Sequence, residues 1–167
     1  MPVGAYGASQ EIMKRISPDG DVYQGGTLSG NPVAMAAGFA QLEECLKNNF
    51  YSDLESKTKM FVEKLNTFSN SKKYPFKVFS IGSIFWFAFT EKEFIRTAED
   101  IDPSGMNTFG KLYHQMLQSG IYFGPSGYEV GFISAAHTTE VLNAAAHEIC
   151  NSLESVFEEL PERVSKV

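Results

Sequence analysis

The sequence predicts an α+β fold, a small antiparallel sheet covered by helices and preceded by a lead-in of different character. Two observations predict it. Apolar stripes of helical period flank two short, aromatic strand signals, so helices and strands are segregated and do not alternate as βαβ units. Residues 1–31 build no layer of their own and look like the tail of something larger. Residues 32–167 hold a long connecting helix and then every element of the small domain.

In chain order, PVGAYG from Pro2 is Gly-rich and reads as a turn or strand end. Ser9 can cap a short helix over Gln10–Ile16, and SPDGD at residues 17–21 is turn chemistry. VYQGGTLSGN is a loop that ends on Asn31, a good N-cap, with Pro32 where proline is welcome at a first helical position. Val33–Lys47 is a helix, apolar on every side in its first half and therefore expected to be buried there. A second helix covers Tyr51–Asn66 with Leu54, Phe61 and Leu65 at helical spacing, and SNSKKYP at residues 69–75 reads as a loop. FKVF at residues 76–79 and SIFWFAF at residues 83–89 read as strands, the latter central, with Gly82 turning between them. A charged connection over residues 91–105 leads to a helix at Thr108–Leu117, whose Phe109, Leu112, Tyr113, Met116 and Leu117 form one stripe ended by Gly120. IYFG and EVGFISA are strand-like around the turn PSG. Thr138 can cap a last helix with Ile149, Leu153, Val156, Phe157 and Leu160 in period.

Composition bounds the partners. A chain of 167 residues with 43% hydrophobic residues and a net charge of −6 fits a globular domain and argues against nucleic acid or an anionic membrane as partner. No run of 18 apolar residues exists, and MPVGAYGASQ has neither a basic start nor an apolar signal core, so a cytoplasmic location is expected. Cys45 and Cys150 match no zinc or redox spacing and are expected as buried free thiols. No pair among His114, His137 and His147 has metal-ligand spacing, so no metal is expected. His114 and His147 fall on predicted helices as surface or boundary residues, and His137 sits in AAHT as a turn or capping residue.

GGTLSGNP at residues 25–32 carries the chemistry. Glycines ahead of a helix let backbone approach an anion, a helix N-terminus presents N–H donors and a positive dipole end, and Thr27 offers a directed hydroxyl. It is neither a Walker loop nor a dinucleotide fingerprint. The same residues also make a tight turn with an Asn cap, and composition alone leaves both readings open.

VYQGGTLSGNPVAMAAG at residues 22–38 resembles the corresponding segment of the class III aminotransferase family of pyridoxal-phosphate enzymes, in the form found in its aminomutase branch. PVGAYGAS, GSIFWFAF and GIYFGPSGYEVGFISAAHT agree in the same order, so the resemblance spans nearly the whole chain. It implies the small C-terminal domain of a fold-type I pyridoxal-phosphate enzyme, preceded by a remnant of the large α/β domain that carries a phosphate-binding loop. It also implies pyridoxal or pyridoxamine 5′-phosphate as cofactor of the full enzyme, a small-molecule substrate and a homodimer with composite sites. By the same resemblance Thr27 binds the cofactor phosphate of the neighbouring subunit, Gly26 contributes backbone, and Glu129 stands near the substrate amino group or the cofactor. On its residues alone Glu129 reads as an exposed strand glutamate beside a turn. The chain departs from the family at Gly127 and Tyr128, where Gln and Phe are common, and at Gly25, where Ala is common; Gly127 removes a side chain close to the site that the resemblance implies.

The family's cofactor-holding lysine lies in a Lys-Ile-Ile-Gly-Gly-Gly context that no lysine of this chain shares, so the chain is expected to be a piece of an enzyme and inactive alone. A sibling aminotransferase and a non-catalytic dimerisation module are the alternatives. The long apolar helix, parted from a larger domain, predicts self-association.

Overall fold

The computed structural model describes residues 3–158, so Pro2 and Leu160 lie outside the described residues. The chain divides into two compact units, Met1–Phe50 and Tyr51–Val167.

The first unit holds helix α1 at Gln10–Met13 and helix α2 at Pro32–Cys45. Helix α1 is shorter than the sequence predicts, and the Ser9 side chain makes no capping bond. The chain turns after Met13 because Val22 N–H donates to Arg15 O and Ser17 N–H to Val22 O, each at 2.9 Å, while Ile16 bridges to Val22. Helix α2 forms where expected, but its burial does not. Among its residues only Ala34 is buried, and Phe39 and Leu42 are each 64% exposed. A helix apolar on all sides needs cover on all sides, and the described residues supply cover along one line only.

The second unit is the α+β domain. Helix α3 runs Phe50–Lys72, strand β1 Lys77–Ile81, strand β2 Ile84–Ala88, helix α4 Gly105–Gln118, strand β3 Gly131–Phe132 and helix α5 Thr139–Glu158. The sheet order is β1-β2-β3, antiparallel throughout, with β2 central. Gly82, at φ 55°, takes the first position of the two-residue turn between Ile81 and Ile84, a conformation a side chain would strain.

Several elements differ from expectation: α4 already starts at Gly105, ahead of Thr108, and of EVGFISA only Gly131–Phe132 pairs as a strand. Residues 69–72 are helical, not loop, because buried Ser69 donates its hydroxyl to Phe76 O at 2.6 Å and Tyr74 O at 3.1 Å, tying the last turn of α3 to the start of β1. Lys73, at φ 58°, then ends the helix. IYFG at residues 121–124 joins no ladder. Phe123 holds it instead, with its ring 5.2 Å from Phe87 and 5.9 Å from Phe85.

The core fills the space between the sheet's inner face and α3, α4 and α5: Phe61, Leu65, Phe85, Phe87, Leu112, Ile149 and Leu153 belong to one buried cluster. Asn66 brackets β1 from the side, donating Nδ2 to Val78 O at 2.9 Å and accepting from Val78 N–H at 2.8 Å, which supplies an outer strand with a partner. Lys64 Nζ reaches Asn143 Oδ1 at 2.6 Å, and Lys72 pairs with Glu154, so α3 is tied to α5 at two levels. Thr138 Oγ1 accepts from Val141 N–H at 3.3 Å, the expected cap of α5.

Leu65 is fully buried, so Leu65→Ala is expected to cost about 2–5 kcal/mol in urea unfolding, while Leu46→Ala, at an 83% exposed residue, stays within about 0.5 kcal/mol. In the connection before α4, Lys92 Nζ at 3.0 Å and the N–H groups of Arg96 and Thr97 hold the Asp100 carboxylate down to about 2. A depressed carboxylate stabilises the fold above its ordinary value near 3.8 and loses that contribution as pH falls toward 2. Asp100→Asn is therefore expected to flatten the acid limb of stability between those values, measured by unfolding at stepped pH.

Candidate functional site

The loop before α2 is built from consecutive turns. Ser29 N–H donates to Gly26 O at 2.9 Å, Asn31 N–H donates to Leu28 O at 3.1 Å, and Gly30 takes φ 71° between them. Asn31 then closes the helix end. Its Oδ1 accepts from Val33 N–H and Ala34 N–H, each at 3.1 Å, its carbonyl accepts from Met35 N–H at 2.9 Å, and Pro32 has no N–H to offer. The first turn of α2 therefore has no donor left for an anion, and Asn31 is the N-cap that the sequence predicts. The loop itself keeps donors. Thr27 is exposed, and neither its hydroxyl nor the backbone N–H groups of Gly26, Thr27 and Leu28 donate a hydrogen bond among the described residues. Gly26 is exposed beside it. A Cβ on Gly25 would meet the Tyr23 hydroxyl at 2.7 Å, so the glycine lets that ring fold over the loop. A hydroxyl and adjacent N–H groups in a glycine turn form a donor set that suits a phosphate.

Gly26 and Thr27 belong to the first unit and Glu129 to the second. Glu129 ends a turn in which its own N–H donates to Ser126 O at 3.0 Å and Tyr128 N–H donates to Ser126 Oγ at 3.3 Å. The residue is exposed, and its carboxylate folds over Gly124, whose missing side chain leaves the room. Gly127 leaves no open space where its side chain is missing. It is buried, and a Cβ there would lie 2.7 Å from Met106 Sδ and 3.0 Å from Phe109 Cγ. Helix α4 fills the space that a Gln would need.

Sequence reasoning missed Trp86. Its indole N–H donates to Gly127 O at 2.7 Å across 41 residues of chain, and its ring stacks on Phe79 at 6.2 Å, its cross-strand partner on β1. The available signal was a lone tryptophan at an outward-facing position of a strand whose alternate residues are phenylalanines.

The remaining candidates carry no site. His114 and His147 are exposed on their helices. His137 is a turn residue: its Nδ1 accepts from Ser134 N–H at 3.1 Å, and its carbonyl accepts from Lys57 Nζ at 3.0 Å. Both cysteines are free but only half-buried. Burial, with the Glu154 carboxylate adding to it, pushes the Cys150 thiol up to about 11, far from a nucleophilic thiolate at neutral pH. Among the described residues no group of three His, Cys, Asp or Glu side chains could hold a metal ion, and no helix is long and apolar enough to cross a membrane.

Solved structures share this fold. An omega-transaminase from Sphaerobacter thermophilus superposes with a TM-score of 0.74 at 19% identity, over 90% of this chain and 35% of that one. A glutamate-1-semialdehyde-aminomutase from Pseudomonas aeruginosa PAO1, in complex with PMP, gives 0.69 at 18% identity over 90% and 35%. The fold is thus that of the type I pyridoxal-phosphate transaminases. Residues 1–157 match the family Aminotransferase class-III, and the chain belongs to it. Glutamate-1-semialdehyde 2,1-aminomutase of Legionella pneumophila (strain Paris) is 47% identical over 137 residues, 82% of this chain and 32% of that protein. The chain spans about a third of the length of the curated relatives it matches.

Because Asn31 satisfies two donors of α2 at once, Asn31→Ala is expected to cost about 1 kcal/mol of helix stability. Amide exchange at Val33 and Ala34 should accelerate accordingly, while the second unit's amides keep their rates.

Proposed function

We propose that this chain is the C-terminal portion of a glutamate-1-semialdehyde 2,1-aminomutase, a cytoplasmic homodimer that isomerises glutamate-1-semialdehyde to 5-aminolevulinate for tetrapyrrole synthesis. The observation that carries the reading is the unspent donor set at Thr27, in a chain 47% identical to an enzyme of that name. On this reading the lead-in through Asn31 is a strip of the cofactor domain and residues 32–167 are the connecting helix and small domain.

Thr27 Oγ1, with backbone N–H groups at Gly26 and Thr27, clamps the phosphate of the cofactor held by the partner subunit. Charged hydrogen bonds of this kind are each worth about 1.5–3 kcal/mol. With α2's first turn closed by Asn31, the clamp draws its directed bonds from the loop, and the helix adds only its dipole. Pyridoxal or pyridoxamine phosphate supplies the electron sink through which an amino group can leave one carbon and reach its neighbour. Glu129, at the end of the turn closed by Ser126, presents an acceptor to the substrate ammonium or the cofactor. The lysine that anchors the cofactor is not among this chain's lysines, so the chain alone does not turn over substrate.

The test is complementation. The chain is combined with the preceding segment of the Legionella pneumophila relative and pyridoxamine phosphate, and 5-aminolevulinate is measured with no external amino donor or acceptor. Isomerisation is expected only when both pieces are present, and Thr27→Ala should weaken cofactor retention by about 10- to 100-fold. Turnover by this chain alone contradicts the reading. A requirement for an added keto acid identifies a sibling aminotransferase instead.

A further inference from the structure

We infer that Trp86 is a positioning residue: it holds the turn that carries Glu129 to the sheet, and so sets where that carboxylate stands. The inference rests on the reading of Glu129 given above.

The turn at residues 126–129 is held internally by Ser126, whose carbonyl and hydroxyl accept from Glu129 and Tyr128. Those bonds fix its shape but not its place. Two contacts from other elements fix the place. Trp86 on β2 donates its indole N–H to Gly127 O at 2.7 Å, a near-ideal length. From the α4 side, Met106 and Phe109 press on Gly127, and any side chain at 127 would have to displace Met106 or lift the turn. Gly127 is thus gripped between strand and helix, two residues from Glu129. The Trp86 ring is itself braced, stacked on Phe79 across the hairpin. An indole fits the task because its ring packs on a sheet face while its single donor reaches a backbone carbonyl. Helix α4 and strand β2 are both anchored in the core through Phe109 and Phe85, so the position of Glu129 is referred to the rigid part of the domain.

The decisive measurement is amide exchange in the whole chain. Trp86→Phe keeps a ring for Phe79 but removes the donor. The amides of Tyr128 and Glu129 are expected to exchange roughly tenfold faster, the factor one hydrogen bond contributes, while Val78 N–H, bonded to Asn66, keeps its rate. Trp86 is the chain's one tryptophan, so its emission also reports the site: the wild-type spectrum should move when Gly127→Ala crowds Met106 and shifts the turn. If Trp86→Phe fails to fold, 3-benzothienylalanine at position 86, which preserves the bicyclic shape without the N–H, must give the same acceleration. Unchanged exchange at Glu129 in the folded donor-less variant overturns the inference. In the complemented enzyme, Trp86→Phe should lower kcat more than it raises KM, and Glu129→Gln should lower kcat at least as far. Accelerated exchange in Trp86→Phe with undiminished turnover in Glu129→Gln upholds the hold on the turn and overturns the role given to Glu129.

Discussion

The second unit depends on the aromatic layer beneath its central strand. Phe85 and Phe87 lie 5.3 Å apart on the inner face of β2; Phe61 of α3 meets Phe85 at 5.2 Å, and Phe76 meets Phe87 at 5.5 Å. Three short strands have too little ladder to stand alone, and such a sheet persists only when one face is buried against helices. Each of these rings contributes about 1.5–3 kcal/mol by leaving water, with edge-to-face pairing adding to that. The same layer recruits Phe123, which is why residues 121–124 can follow the sheet without pairing to it. The core thereby sets the course of the segment that leads into the Glu129 turn.

The first unit has no comparable layer. Its helix α2 is well capped at Asn31, yet Val33, Met35, Phe39, Leu42 and Leu46 are all exposed. Helices in water owe most of their stability to packing of an apolar face, and α2 has sound local chemistry without that burial. The proposed place of this strip in a larger cofactor domain gives that face its partner. It also gives Thr27 a reason to be exposed with its donors unspent, since a clamp for a neighbouring subunit's cofactor must point outward.

Much of the second unit was legible in the sequence because its signals are local and periodic. The stripe through Phe109, Leu112 and Met116, the Gly82 turn, the Thr138 cap and the apolar aromatic run of β2 each follow from local sequence. What failed to show depended on contacts between distant residues. The extension of α3 to Lys72 needed Ser69 to find Phe76 O, and IYFG read as a strand because its composition suits one although no neighbour pairs with it. Trp86 and Gly127 are 41 residues apart, and neither predicts the other. At the loop, residue types offered an anion site and a tight turn capped by Asn31 side by side. Only the three-dimensional bonding separates the cap from the clamp.

The central claim is that the Gly26–Thr27 turn clamps a cofactor phosphate across a subunit boundary. Its most direct test is a crystal structure of the assembly formed by this chain with the complementary segment and pyridoxamine phosphate. The account predicts Thr27 Oγ1 within hydrogen-bond distance of a phosphate oxygen on the cofactor carried by the opposite subunit, with Asn31 still capping α2. A bound cofactor whose phosphate is held wholly by its own subunit, with Thr27 facing solvent, would contradict it.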